Sequence, residues 1–359
     1  MPSRRRKAYT PKLGRALLVL VVASLVAPGC GTSPSAGAGG AGTRPAGAGA
    51  ITLYNGQHPE TTEALVAGFE KATGITVHIR DGDEDDLANQ IVQEGTGSPA
   101  DVIYTENSQA LQFLQGKRLL APVAPSTLSG APSRYNSPVG DWVGISARVS
   151  GIVYNTRLVS ASQLPTSVMG LAEPKWAGKL GIAPSETDFE PIITSVARTY
   201  GHAGALAWLK ALSNNAAGHT YPDNETLTAA VNHGQVALAV VNHYYWYRLR
   251  YEIGRAQMHS LFTYFSPHDP GYVVDVSGAA VLRSSRAAAA AQRFLAFLVS
   301  KAGEEIIARS HSYEYPLGSG MLTAQPLRPF ADLKPVALTI AQLGDGSSAI
   351  ALLHQAQLL

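Results

Sequence analysis

From residue 50 onward, short runs of apolar and β-branched residues alternate with longer stretches whose apolar positions recur every three or four residues. AITLYNGQH opens with β-branched and aromatic residues and predicts a strand. Pro59 suits the first position of a helix, Leu65, Val66, Phe69 and Ala72 keep helical spacing, and Gly74 ends it. ITVHIR predicts a second strand, LANQIVQEG a second helix and ADVIYTE a third strand. Strand, helix, strand, helix, strand is the pattern of a parallel sheet with right-handed crossovers. Such sheets bind ligands beyond the carboxyl ends of their strands. His58 follows the first strand and Glu106 the third, so two potential ligands fall at the same edge.

The second half continues in this style. SGIVYN and LGIAP predict strands, EPIITSVARTYG and AGALAWLKALSN helices, and NETLTAAVNHG a helix capped by Asn224. QVALAVVN predicts a fully apolar strand that delivers Tyr244 and Tyr245 at its carboxyl end. SGAAVLRSS starts another strand, AAAAAQRFLAFLVSKAGEEII predicts one long helix, and the last 30 residues a final helix pair. The acidic run DGDEDD lacks the later glycine and glutamate spacing of a calcium loop and predicts a solvated acidic turn.

Upstream the pattern changes. Arg4, Arg5, Arg6, Lys7, Lys12 and Arg15 precede the apolar run ALLVLVVASLVAPGC, which is short for a membrane span; residues 1–29 read as an export signal. The run ends at Cys30, the only cysteine in the chain, and VAPGC resembles the lipobox of bacterial lipoproteins, with Ala27 where leucine is usual. That resemblance implies acylation of Cys30 and anchorage without spanning. Residues 30–49, rich in Gly, Ala and Ser, then form a flexible tether. The 359 residues are about two domains' worth. The formal charge of +2 is misleading: without the six basic residues of the leader, 22 basic residues face 26 acidic ones. A basic nucleic-acid binder is thereby excluded.

The chain contains no HExxH, GxSxG, Walker loop or CxxC, and its one cysteine sits at the signal boundary. His58, Glu106, Tyr244 and Tyr245 remain. Singly, a tyrosine pair is packing and a His or Glu after a strand is a cap or a loop residue. Together they are a mostly hard, oxygen-rich donor set lying at strand ends. A phenol ionises near pH 10 and gives up its proton at neutral pH only beside a strong positive charge, which points to a trivalent ion. Fe(III) fits: two phenolates and one carboxylate neutralise it, and tyrosinate ligates iron in catalase haem.

The stretches LYNGQH, FEKATGI, SPADVIYTE, IVYNTR, PKWAGKLGIAPS, VNHYYW, DPG, SGAAVL and YEYPL resemble, in order, the bacterial ferric-ion-binding proteins, the solute-binding components of iron(III) ABC transporters. They span roughly residues 51 to 318. The resemblance implies an α/β, two-lobed periplasmic-binding-protein type II fold, each lobe a mixed sheet flanked by helices, with residues 50–150 and 275–325 in one lobe and 151–274 and 326–359 in the other. It places the family's metal ligands on His58, Glu106, Tyr244 and Tyr245. It also implies a non-enzymatic monomer at the outer face of the cytoplasmic membrane that closes over iron by hinge motion and docks on a permease and its ATPase. Acid, by protonating the ligands, favours release.

One stretch departs from the family. Where members holding a synergistic phosphate carry a Ser-Gly-Ala helix start, this chain has PSETDFEP, with Glu186, Thr187 and Asp188. Carboxylates there repel an anion, so carbonate is expected ahead of phosphate, with water or a protein carboxylate as alternatives. The family's anion-contacting asparagines fall on Asn224 and Asn242, and Arg148 is a candidate to contact carbonate or pair with an acid. Two rivals stand beside the ferric reading. One is the same fold holding an organic cation (a polyamine, thiamine) or an oxyanion such as a phosphonate, with the aromatic residues as a cradle. The other is a hydrolase using Glu106 and His58 as a base pair, for which no nucleophile or oxyanion motif is present.

Overall fold

The computed structural model describes residues 49–318 and 327–359. The predicted leader, Cys30 and the tether lie outside the described residues, apart from Gly49. No helix among the described residues is long and apolar enough to cross a membrane.

The chain runs β1 (Ala50–Gly56), α1 (Pro59–Thr73), β2 (Thr76–Asp81), α2 (Glu84–Glu94), β3 (Val102–Thr105), α3 (Ser108–Gly116), α4 (Pro125–Leu128), β4 (Val143–Asn155), α5 (Glu190–Ala216), α6 (Asn224–His233), β5 (Leu238–Asn242) and α7 (His243–Ile253). It ends β6 (Ser260–Thr263), β7 (Val274–Val281), α8 (Ala288–Leu298), α9 (Lys301–Arg309), β8 (Tyr315–Pro316), α10 (Ile340–Leu343) and α11 (Ser347–Gln355). The expected parallel unit is present: β1 lies between β2 and β3, parallel to both. Returning from far along the sequence, β7 adds antiparallel to β3 and then to β4. The sheet therefore runs β2-β1-β3-β7-β4-β5, with β6 and β8 also paired to β4.

β4 is the piece on which both halves depend. All 13 of its residues are buried. Its first half pairs with β7 and β8, its second half with β5 and β6. A strand covered on both faces explains the nearly continuous apolar run. It also needs glycine where neighbours press close: a Cβ at Gly151 would lie 2.5 Å from the Thr263 carbonyl oxygen. Arg148, in mid-strand between Ser146 and Ser150, is the one charged residue of β4 and is fully buried.

Several expectations are corrected. LGIAP forms no strand; Leu180 and Ile182 make only isolated bridges to Leu238 and Thr220. The long helix expected after β7 breaks into α8 and α9, with Ser300 capping the second by accepting the N–H of Gly303. The two helices expected after residue 189 are both present within α5, separated at Gly201, whose φ of 76° and ψ of 168° are not helical. The cap of α6 is Asp223, which accepts the N–H of Thr226, and Asn224 is its first residue. DGDEDD is only partly a solvated turn. Asp83 caps α2 by accepting from the amides of Asp85 and Asp86, and Glu84 is buried. Acidic residues in a first helical turn face the positive end of the helix dipole, which is why the run folds this way. The final pair, α10 and α11, has one short member, and α11 packs along α5.

Candidate metal centre

The site residues sit where strands end and helices begin. His58 occupies the N-cap position of α1, with Pro59 following, and its side chain makes no capping bond, so the ring is left to face inward. Glu106 follows β3 directly. Tyr244 and Tyr245 lie in the first turn of α7, immediately after β5, with Asn242 at the cap position.

These elements bring the four residues together. Tyr244 Oη donates a short hydrogen bond to Glu106 Oε1 and also lies 2.9 Å from Asp188 Oδ2. His58 Nδ1 is 3.7 Å from Glu106 Oε1, and its ring meets Tyr244 edge-on at 5.1 Å. Tyr245 packs on Tyr244 with ring centroids 4.2 Å apart. A cavity of about 500 Å³ borders His58, Glu106 and Tyr245 together. Among the described residues no cluster of histidine, cysteine and carboxylate alone is arranged for a metal. Two phenols, Tyr244 and Tyr245, stand among the imidazole and carboxyl groups here.

Behind this cluster stands Arg148. Its Nη1 is 3.2 Å from Glu106 Oε1, 3.6 Å from Asp188 Oδ1 and 3.4 Å from Asn107 Oδ1, and Nη2 pairs closely with the fully buried Glu314. Glu314 is held in turn by Gln57 Nε2 and Ser146 Oγ. Of the two roles expected for Arg148, this is pairing with acids. Burial alone would lower the guanidinium's proton affinity, but Glu314 and Glu106 more than reverse that and fix the charge.

Burial dominates the titration of the donors. It pushes Tyr244 and Tyr245 well above the usual phenol range, reinforced by Asp188 and Glu106. Glu106 rises for the same reason, with Arg148 opposing. His58 falls well below the usual imidazole range through burial, with Arg248 and Arg148 adding to it. The neutral imidazole that results retains a lone pair.

The predicted anion seat looks different. Glu186 accepts from both the backbone N and Nδ2 of Asn224, each at 3.3 Å, so the start of α6 is already met by a carboxyl group. Burial, with Asp188 and Glu225 nearby, pushes Glu186 up to about 8. Thr187 Oγ1 accepts from Asn107 Nδ2 at 3.1 Å and lines the same cavity as His58, Glu106 and Tyr245. Asn242 lines, with Asn224 and Asp188, a cleft of only about 20 Å³. Sequence reasoning placed Asp188 in the anion position rather than against Tyr244, and it passed over Glu314 and Gln57. Glu314 carried a signal: a carboxylate flanked by aromatic residues in YEYPL, in a segment otherwise fit for burial, requires a buried partner.

A mixed sheet whose strand β4 serves both halves, with a polar cluster at the helix starts, defines a two-lobed solute-binding protein. A family model described as bacterial extracellular solute-binding protein matches residues 54–311. The Fe(3+)-binding periplasmic protein of Serratia marcescens is 38% identical over 309 residues, covering 86% of this chain and 90% of that protein. The structure of iron-bound HitA from Pseudomonas aeruginosa superposes with a TM-score of 0.81 at 41% identity, covering 86% of this chain and 99% of that one. The Trichodesmium protein IdiA (FutA), in complex with iron and citrate ligands, gives 0.75 at 30% identity over 86% and 99%. The chain belongs to the bacterial extracellular solute-binding proteins, in their ferric-ion-binding branch, and has the type II periplasmic-binding-protein fold.

Proposed function

We propose that this protein captures ferric iron between two lobes outside the cytoplasm and delivers it to an ABC transporter permease. The lobes are residues 50–150 with 275–325 and residues 151–274 with 326–359, and the protein acts without catalysis. His58, Glu106, Tyr244 and Tyr245 hold the ion. The observation that carries this is Tyr244 Oη, fixed between the carboxyl groups of Glu106 and Asp188 with His58 and Tyr245 against it. Tyr244 Oη stands within hydrogen-bond distance of both carboxyl groups, and a trivalent cation in place of the shared protons binds the same oxygens more strongly. A cradle for an organic cation would instead turn the faces of the aromatic rings toward the ligand. Here the two rings are buried against each other.

The experiment is direct. Protein purified without added iron and then given a ferric salt develops a phenolate-to-iron charge-transfer band and retains one metal per chain by elemental analysis. Metal-free protein that ignores iron but binds a polyamine or thiamine overturns the reading.

Asp188 belongs to the same ligand set. Small hard cations with octahedral bonds of about 2.0–2.1 Å place neighbouring oxygens about 2.9 Å apart. That is the separation of Asp188 Oδ2 from Tyr244 Oη. Asp188 Oδ1 is buried and makes no hydrogen bond, with Arg148 Nη1 3.6 Å away as its charged neighbour. Glu186 fills the anion seat at Asn224, so phosphate has no place; carbonate, planar and smaller, is the exogenous anion that fits best beside Asp188. We expect Asp188→Asn to keep the visible band, weaken iron binding by about 10- to 100-fold, and make the remaining affinity depend on added carbonate. Unchanged affinity in carbonate-free buffer would remove Asp188 from the set.

A further inference from the structure

The four proposed ligands account for the charge of the ion, but not for a cation that faces them from the cavity. Tyr244 and Tyr245 stand in the first turn of α7, and Arg248 follows four and three residues later. That spacing puts it on the same helical face, with Cβ atoms about 5–6 Å apart. Arg248 borders the cavity of about 500 Å³ together with His58, Glu106 and Tyr245. It also borders a second cavity of about 310 Å³, which shares His58 and Glu60 with the first. After burial, Arg248 does most to lower the proton affinity of His58, ahead of the fully buried Arg148. Yet its own partner is weak. Glu225 Oε1 lies 3.5 Å from Nη1, and that carboxylate is 54% exposed, the setting in which ion pairs contribute least. The other N–H groups of Arg248 have no hydrogen-bond partner among the described residues, although the side chain is only 20% exposed.

We propose that Arg248 seats an iron-bound organic anion, so that iron is held as a ternary complex with a small polycarboxylate chelator, one carboxylate on the ion and another on the guanidinium. The inference rests on the ferric reading above and adds the form of the cargo and the residue that reads it. Arg148 and Glu314 stand behind the cluster, so its exchangeable side faces the cavity. Two phenolates and Glu106 already neutralise Fe(III). A further anion, in a cavity lined by seven acidic residues, therefore needs a cation of its own, and Arg248 is the one cationic residue in that lining. A guanidinium holds a carboxylate through two parallel N–H bonds, a geometry that a lysine does not offer. Size separates the organic anion from carbonate. The cavity, at about 500 Å³, falls within the roughly 300–1,000 Å³ of small-molecule sites, and a carbonate beside Asp188 leaves most of it to water.

Citrate is the probe. The full-length protein is dialysed to equilibrium against ferric salt and radiolabelled citrate, and iron and citrate are counted on the protein. We expect citrate to be retained in step with iron and to be absent from metal-free protein. Arg248→Gln weakens citrate at saturating iron by about 10- to 100-fold, the loss of a charge-assisted pair, and Arg248→Lys restores part of it. Glu225→Gln frees the guanidinium from its competing partner and tightens citrate by about two- to fivefold. A general loosening of the fold would weaken citrate in both the Arg248 and the Glu225 variants, so the opposite signs identify the contact. Citrate held equally by the parent and by Arg248→Gln overturns the proposal, as does citrate that strips iron from protein loaded by a ferric hydroxamate. Bicarbonate that displaces citrate at equal concentration overturns it too, by making the anion inorganic. A protein that holds no iron and develops no charge-transfer band in any of these buffers fails the ferric reading itself, so the two failures are distinct.

Discussion

Replacing both phenols, Tyr244→Phe with Tyr245→Phe, abolishes the visible charge-transfer band and weakens ferric binding by about 10⁴-fold or more. The reason is charge. Without phenolates a trivalent ion in this buried setting keeps only carboxylates as anionic ligands, and an uncompensated buried charge costs about 3–5 kcal/mol. Two such losses exceed four decades, since each decade is about 1.4 kcal/mol. The single variants are not equivalent. Tyr244 Oη is within hydrogen-bond reach of both Glu106 and Asp188, so Tyr244→Phe also removes that contact from each, leaving Arg148 as their remaining partner, and lowers the melting temperature of the metal-free protein. Tyr245 is buried mainly against the Tyr244 ring, so Tyr245→Phe leaves the metal-free melting temperature within a few degrees while shifting the band. Titration with ferric hydroxamate monitored in the visible, beside melts followed by circular dichroism, separates the effects. A double variant that keeps full colour removes the tyrosine pair from the metal centre.

How much of this was legible in the chain follows from which forces are local. The β1-α1-β2-α2-β3 unit was readable because its strands and helices carry their own periodicity and caps. The four candidate residues could be placed at strand ends because the strands they follow can be located. What escaped was set by distant contacts. LGIAP is apolar enough for a strand, but its neighbours offer Leu180 and Ile182 only single bridges. DGDEDD looks solvated until Glu84 is seen buried beneath Asn107, which donates to it from both its backbone and side-chain nitrogens. Asp188 was visible as a departure from a family pattern, but its approach to Tyr244 links residues 56 apart in sequence. Arg148, at the centre of the longest strand, announces a buried charge; its partner Glu314, 166 residues on, is found only once β8 lies against β4.

That buried pair carries the second large effect. Arg148 and Glu314 are both fully inaccessible, and the same guanidinium faces Glu106 and Asp188. Arg148→Met therefore does more than break one ion pair. It leaves Glu314 without its counter-charge between β4 and β8, and leaves the two carboxylates of the metal centre facing each other. Removing one partner of a buried pair costs about 3–5 kcal/mol. For a body of this size that lowers the melting temperature of the metal-free protein by roughly 10 °C. The accompanying Glu314→Gln change recovers part of the loss, because a neutral amide needs only hydrogen bonds, which Gln57 and Ser146 are placed to exchange with it. Iron recovers another part, because the ion supplies to Glu106 and Asp188 the positive charge that Arg148 provided. The stabilisation that iron confers is thus larger in Arg148→Met than in the parent, even though the variant is the weaker fold. Calorimetry of both proteins with and without ferric ion measures this directly. If iron raises both melting temperatures by the same amount, Arg148 and the ion act on separate charges, and the guanidinium is a strut of β4 rather than the counter-ion of the metal centre.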